Sequence, residues 1–226
     1  MTRSICIIDG HPDPNPDHLV HALCDAYAEG AEATDHTVSR IRVADFDMPF
    51  LNSEKEFAMP PPEPVLSERQ KIANADHLVI AFPLWMGGMP AKLKAFFEQA
   101  ARAEFFLKTG ESDHEWPERM MKGKSARIIV TMGMPDLVYR FGMDAGALKA
   151  LERGMRRVAR LARRACACEA YSDQRALRET LAQRVDGALG NERHEAKSCH
   201  VQCAVATTEC ECGLEEDLVI AYEAKE

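Results

Sequence analysis

Hydrophobic and polar positions alternate between two patterns along the first 135 residues. Four runs have strand character: Ser4–Asp9, His36–Val43, His77–Phe82 and Ala126–Met132. Two of them, Ile5-Cys6-Ile7-Ile8 and Leu78-Val79-Ile80-Ala81-Phe82, are continuous rather than alternating. A strand with one wet face alternates, whereas a parallel strand covered by helices on both faces reads as an unbroken apolar run. Between these runs the spacing becomes helical, over about 17–31 (Leu19, Val20, Leu23 and Tyr27 on one face), about 64–75 and about 90–107. This alternation predicts an α/β fold with right-handed crossovers, which binds ligands beyond the carboxyl ends of its strands.

Three loops leave those strand ends. The first is Asp9-Gly10-His11-Pro12-Asp13-Pro14-Asn15-Pro16-Asp17, in which three prolines at alternate positions stiffen the backbone. Asn15 or Asp17 can cap the helix that follows, and the free N–H groups at a helix start suit an anion such as phosphate. The loop is neither G-x-x-x-x-G-K-[ST] nor G-x-G-x-x-G, so nucleoside-triphosphate and dinucleotide fingerprints are excluded. The second loop, Phe82-Pro83-Leu84-Trp85-Met86-Gly87-Gly88-Met89-Pro90, sets an indole and two glycines at the mouth of the sheet, where a flat aromatic ligand can lie. It enters the helix AKLKAFFEQ with Pro90 at the first helical position. The third loop runs Thr131-Met132-Gly133-Met134-Pro135 and is followed by Tyr139, whose phenol can donate to a developing oxyanion. Taken singly, each has a purely structural reading: a capped turn, a packed Trp, a Tyr at a sheet edge.

Two polar stretches interrupt the pattern: the proline-rich Asp45–Pro64, a long connection or lid, and Lys108–Lys124, which carries Trp116-Pro117. Beyond Leu148 the character changes. Leu148–Val185 reads as a long or broken helix with Arg153, Arg156, Arg157, Arg160, Arg163 and Arg164, a solvated basic face. Six of the eight cysteines, Cys166, Cys168, Cys199, Cys203, Cys210 and Cys212, follow it. Cys199-His200-x2-Cys203 and Cys210-x-Cys212 offer zinc-ligand types at spacings unlike the usual paired knuckles, so no metal site is assigned.

At 226 residues, with 46% hydrophobic and 28% charged residues, the chain is long and apolar enough for its own core. A net charge of -8 argues against wholesale release of phosphate counterions, hence against nonspecific nucleic-acid binding. The N-terminus does not read as a signal peptide, and the longest apolar run, Leu78–Met86, is too short to span a bilayer. The expected location is cytoplasmic.

The segments GHPDPNPD, FPLWMGGMPAKLKAFFEQ and VTMGMP...VYR, in this order, resemble the flavodoxin-like NAD(P)H dehydrogenase (quinone) family over roughly residues 1–153. The resemblance implies a doubly wound parallel sheet of order 2-1-3-4-5 and a bound FAD or FMN, with FAD placed first. It further implies NAD(P)H as co-substrate, a quinone-like acceptor, ping-pong hydride transfer and a homodimer, with no nucleic-acid partner and no membrane insertion. By the same resemblance His11, Asn15, Asp17 and Leu19 lie about the flavin phosphates. Pro83, Leu84, Trp85 and Met86 pack on the isoalloxazine, Thr131, Gly133 and Met134 line its other edge, and Tyr139 stabilises charge on the reduced ring.

The sequence departs from that pattern in two places. The segment Phe141–Gly146 lacks the histidine relatives often carry after the tyrosine, and Arg156–Arg164 is too basic for the family's fifth strand, leaving Cys199–Thr208 or Asp217–Tyr222 to supply it, or no such strand. We therefore divide the chain into a flavin-binding domain, 1–190, and an atypical Cys-rich C-terminal tail, 191–226. Alternatives to quinone reduction are an azo, nitro or free-flavin reductase using the same site, and a regulatory flavin-binding subunit of a partner protein.

Overall fold

The computed structural model describes residues 2–108 and 117–133, with residues 142, 144, 146, 149–151, 154, 162–163 and 218–222. Its centre is a parallel sheet. The strands are β1 (Ser4–Asp9), β2 (Thr37–Arg42), β3 (His77–Pro83) and β6 (Ser125–Met132), joined in the order β2-β1-β3-β6. Registers are continuous, from Ser4↔Thr37 to Asp9↔Arg42, from Ile5↔His77 to Asp9↔Ala81, and from His77↔Ser125 to Pro83↔Thr131. The ribbon β4 (Leu107–Lys108) and β5 (Glu118–Arg119) pairs antiparallel outside the main sheet.

The unbroken apolar runs are explained by cores on both faces. Ile5, Ile7, Val79, Ala81 and Ile129 face helix α1 (Leu19–Glu32), meeting Leu19, Val20, Leu23 and Tyr27, the four positions read as one helical face. Cys6, Ile8, Leu78, Ile80, Phe82 and Val130 point the other way, onto α3 (Val65–Asn74) and α4 (Ala91–Ala100) through Val65, Ile72, Leu93 and Phe96. Alternate residues of one strand thus feed opposite cores.

The Asp45–Pro64 connection holds a short helix, α2 (Glu54–Ala58), capped by the Ser53 side chain, which accepts from Glu56 N–H. This segment is strapped to the end of α4. Gln99 Nε2 donates to the Pro49 carbonyl at 3.0 Å, Arg102 Nε to the Met59 carbonyl at 3.1 Å, and Ala103 N to the Phe57 carbonyl at 3.0 Å. The same bonds correct the expected helix of about 90–107. Ala103 and Glu104 take φ of 51° and 60°, so the helix stops at Ala100 although no Gly or Pro marks the place.

The fifth position of the sheet is shared by two short strands. β7 (Ala162–Arg163) pairs parallel with Ser125 and Ala126, and β8 (Leu218–Tyr222) pairs parallel with Ile128–Met132. Of the sources left open by the sequence, Asp217–Tyr222 is the one seen in the sheet. The exclusion of the basic Arg156–Arg164 segment is corrected at Ala162–Arg163: an edge strand needs backbone partners and tolerates charged residues. The Leu148–Val185 helix is outside the described residues for most of its length, as are the six C-terminal cysteines.

Candidate functional site

The first loop accounts for its own backbone donors. Gly10 N–H goes to the Ala81 carbonyl at 2.7 Å, and Pro12, Pro14 and Pro16 have no N–H. The remaining amides each find the side chain two residues earlier. His11 N donates to Asp9 Oδ1 (3.2 Å), Asp13 N to His11 Nδ1 (3.2 Å), Asn15 N to Asp13 Oδ1 (3.0 Å) and Asp17 N to Asn15 Oδ1 (3.2 Å). Alternate proline therefore leaves only the odd-numbered amides, and side chains with acceptors at odd positions take them all. This corrects the expected capping role: Asn15 and Asp17 build the turn, while His18 is the N-cap residue and makes no side-chain cap bond. The first amides of α1, those of Leu19 and Val20, have no intrahelical partner.

A histidine cluster lies against this loop. His11 and His21 are buried. The His11 and His18 rings stack at 3.8 Å between centroids, and His21 meets His11 edge-on at 5.3 Å. His21 Nδ1 lies 2.5 Å from Asp9 Oδ2 and its Nε2 lies 3.0 Å from the Asp13 carbonyl oxygen. His18 Nε2 is 2.9 Å from Asp13 Oδ2, and that hydrogen bond is the main cause holding the Asp13 carboxyl below its usual range. Sequence reasoning passed over Asp9, His18 and His21 as site residues. The available signal was a histidine interrupting the apolar face of HLVHALC.

The other two loops close on the first. Leu84 N donates to the Thr131 carbonyl at 2.8 Å, and the Trp85 indole approaches the His11 ring edge-on at 6.1 Å. Trp85 and Gly88 exchange both backbone bonds at 2.9 Å, with Met86 and Gly87 between them at φ of 50° and 78°. This is the primed turn geometry, which an L residue such as Met86 enters at a cost of about 1 kcal/mol. The strained turn presents Trp85 at 49% exposure and Met86 fully to solvent. An apolar cleft of about 930 Å³ opens beside it, walled by Trp85, Met86, Met89, Phe97, Phe106 and Leu151.

Of the residues expected in the site, His11, Asn15, Asp17, Pro83, Leu84, Trp85, Met86, Thr131 and Gly133 all lie on these converging loops. Leu19 reaches them through its backbone only, because its side chain is in the core. Met134 and Tyr139 lie outside the described residues. Thr131 is 1% exposed, and its Oγ1 has no hydrogen-bond partner among the described residues. A buried hydroxyl left so at a strand's carboxyl end fits a bound molecule with polar edges. Helix-start amides for a phosphate, an indole and turn for a ring, and an orphan hydroxyl for a polar rim together fit a flavin nucleotide.

The arrangement is a candidate ligand site at the carboxyl end of the sheet in a doubly wound α/β protein. A family model described as the flavodoxin-like fold matches residues 3–163, and the chain belongs to that family. It is 35% identical over 82 residues, 36% of its length, to an FMN-dependent NADH:quinone oxidoreductase of Thiobacillus denitrificans. That match spans 37% of the relative, and matches to curated relatives span from 28% to 52% of their lengths. Among solved structures, the fold is similar to NAD(P)H:quinone oxidoreductase from Methanothermobacter marburgensis (TM-score 0.59, 21% identity, 69% of this chain and 80% of that one). It is also similar to an FMN-dependent NADH-azoreductase from Bacillus anthracis in complex with FMN (TM-score 0.55, 16% identity, 83% and 99%). At these identities the structural likenesses establish the fold.

Proposed function

We propose that the protein is a flavin-dependent NAD(P)H oxidoreductase that passes a hydride through the flavin to a quinone or similar electrophilic acceptor. The observation that carries this reading is the convergence of the three loops on one place, with the buried Thr131 hydroxyl there having no hydrogen-bond partner among the described residues. The sequence ranked FAD first, but the relatives named as FMN-dependent support FMN.

When bound, the flavin supplies the hydride chemistry. The chain's own residues bind and orient. The Leu19 and Val20 amides take phosphate oxygens, with the positive end of the α1 dipole behind them. The Trp85–Gly88 turn offers an indole face and close backbone approach to the ring. Thr131 Oγ1 donates to, or accepts from, the ring's polar rim, and the apolar cleft keeps water from the acceptor. Tyr139 would supply a phenolic donor to the flavin, as the resemblance implies. Assembly as a homodimer, which the family resemblance implies, is tested by light scattering.

The test is the visible spectrum of the protein reconstituted with FMN or FAD, followed anaerobically on addition of NADH or NADPH and then of a quinone. Bands that bleach and recover support the reading. Flavin that binds tightly but does not turn over supports the regulatory-subunit alternative, and a folded protein that binds neither flavin overturns both.

A further inference from the structure

The first loop is held by a buried residue pair, Asp9 and His21. Asp9 and His21 are each 5% exposed. Asp9 divides its carboxylate, Oδ1 accepting the His11 amide and Oδ2 hydrogen-bonding to His21 Nδ1 at 2.5 Å. The other His21 nitrogen, Nε2, donates to the Asp13 carbonyl at 3.0 Å. His11 Nδ1 also lies 3.1 Å from that carbonyl oxygen, but it already accepts the Asp13 amide. A backbone N–H can only donate, so His21 is the carbonyl's donor. Asp9, His11, Asp13 and His21 thus close a cycle of hydrogen bonds.

We propose that His21, backed by Asp9, is a positioning residue that holds the first loop in its phosphate-accepting shape; the proposal rests on the flavin reading, in which a phosphate docks at this loop. The Asp13–Pro14 peptide is where the loop can go wrong. Its oxygen has no neighbouring N–H to offset it, because residue 14 is proline. Turned outward, that oxygen would repel an arriving phosphate; His21 keeps it turned under the loop. Asp13 in turn accepts the Asn15 backbone amide on Oδ1 and bonds the His18 ring on Oδ2, so its orientation bears on the Asn15 backbone and the His18 side chain just before α1. His21 therefore acts on the anion through the loop.

The test compares wild type with His21→Ala, His21→Gln and His21→Asn in FMN and riboflavin titrations, and in thermal melts of the apoprotein with and without inorganic phosphate. A glutamine amide reaches the Asp13 carbonyl; the shorter asparagine reaches only Asp9. In wild type, FMN is expected to bind more tightly than riboflavin, and phosphate to raise the melting temperature. His21→Ala is expected to lose about tenfold in FMN affinity, the worth of one well-made hydrogen bond, with riboflavin affinity unchanged and the phosphate shift abolished. His21→Gln restores most of both effects and His21→Asn does not, a contrast that stands even if His21→Ala fails to fold. Equal loss of FMN and riboflavin affinity, or no difference between the Gln and Asn variants, overturns the proposal. Wild type that binds flavin without FMN selectivity or a phosphate shift overturns it while the flavin reading stands. A His21-dependent phosphate shift without flavin binding supports the loop role and sinks the flavin reading, and wild type with neither response overturns both.

Discussion

Gly10 is the hinge between β1 and the first loop, and its replacement by alanine measures how closely that loop is seated. A Cβ added there meets Leu93 Cδ2 at 2.6 Å and the Ala81 carbonyl oxygen at 2.9 Å. The Leu93 methyl is the end of a flexible side chain, but Leu93 is fully buried on α4 and has little room to turn. The Ala81 oxygen is backbone of a central strand and accepts the Gly10 N–H at 2.7 Å, so relieving the contact lengthens that bond. Overpacking of this kind costs about 1–3 kcal/mol, and weakening a buried hydrogen bond adds about 1 kcal/mol. We expect Gly10→Ala to lose about 3 kcal/mol in urea unfolding followed by circular dichroism, with an unchanged denaturant slope. Leu93→Ala removes one of the two obstacles, so in that background Gly10→Ala should cost about 1 kcal/mol less, read as a double-mutant cycle. A cost under about 0.5 kcal/mol, or strict additivity with Leu93→Ala, would falsify the argument from close approach.

Burial pushes the Cys6 thiol up to about 11 from its ordinary 9.0. The unfolded thiol ionises first, so this group's contribution to stability falls as pH rises above about 9; by pH 10.5 the loss is about 2 kcal/mol, and the alkaline slope of urea midpoints should flatten by that amount in Cys6→Ala. Thr131→Val removes a buried hydroxyl that has no partner among the described residues, so the apoprotein should be unchanged or stabilised by up to about 1 kcal/mol while flavin affinity drops; destabilisation of the apoprotein in thermal melts would count against this. The His18 hydrogen bond lowers the Asp13 carboxyl, so its contribution is present above the unfolded carboxyl's pKa and disappears as pH falls through the folded one. NMR titration of the Asp13 carboxyl should show this lowering reduced in His18→Ala, the Asn15 amide remaining on Oδ1, and an unchanged titration would refute it.

The sheet was legible because burial on both faces writes an uninterrupted apolar run. Ser4–Asp9 matches its strand end to end, and His77–Phe82 misses only Pro83. The end of α4 was not legible, because it is set by the Phe57 carbonyl capturing the Ala103 amide from a segment some forty-five residues away. The site was legible in its apolar and glycine-bearing loops, where residue type and place agree. It was not legible at His21, since a histidine within HLVHALC reads as a core position until the fold sets Asp9 beside it. Nor does anything in Ala162–Arg163 announce a strand; its pairing is a backbone event at an edge.

The alternating prolines of the first loop give it a grammar of period two. Asp9, His11, Asp13 and Asn15 must each carry an acceptor that reaches two residues on, and the prolines at 12, 14 and 16 ask for nothing, while Gly10 is held separately by Ala81. Exchange within a class, such as Asn15→Asp, preserves every rung. Inserting or deleting a single residue between Asp9 and Asp17 moves prolines onto the rungs and acceptors off them, undoing the loop at once. Among descendants of this sequence, the segment should therefore vary freely in letters within each class and hardly at all in length.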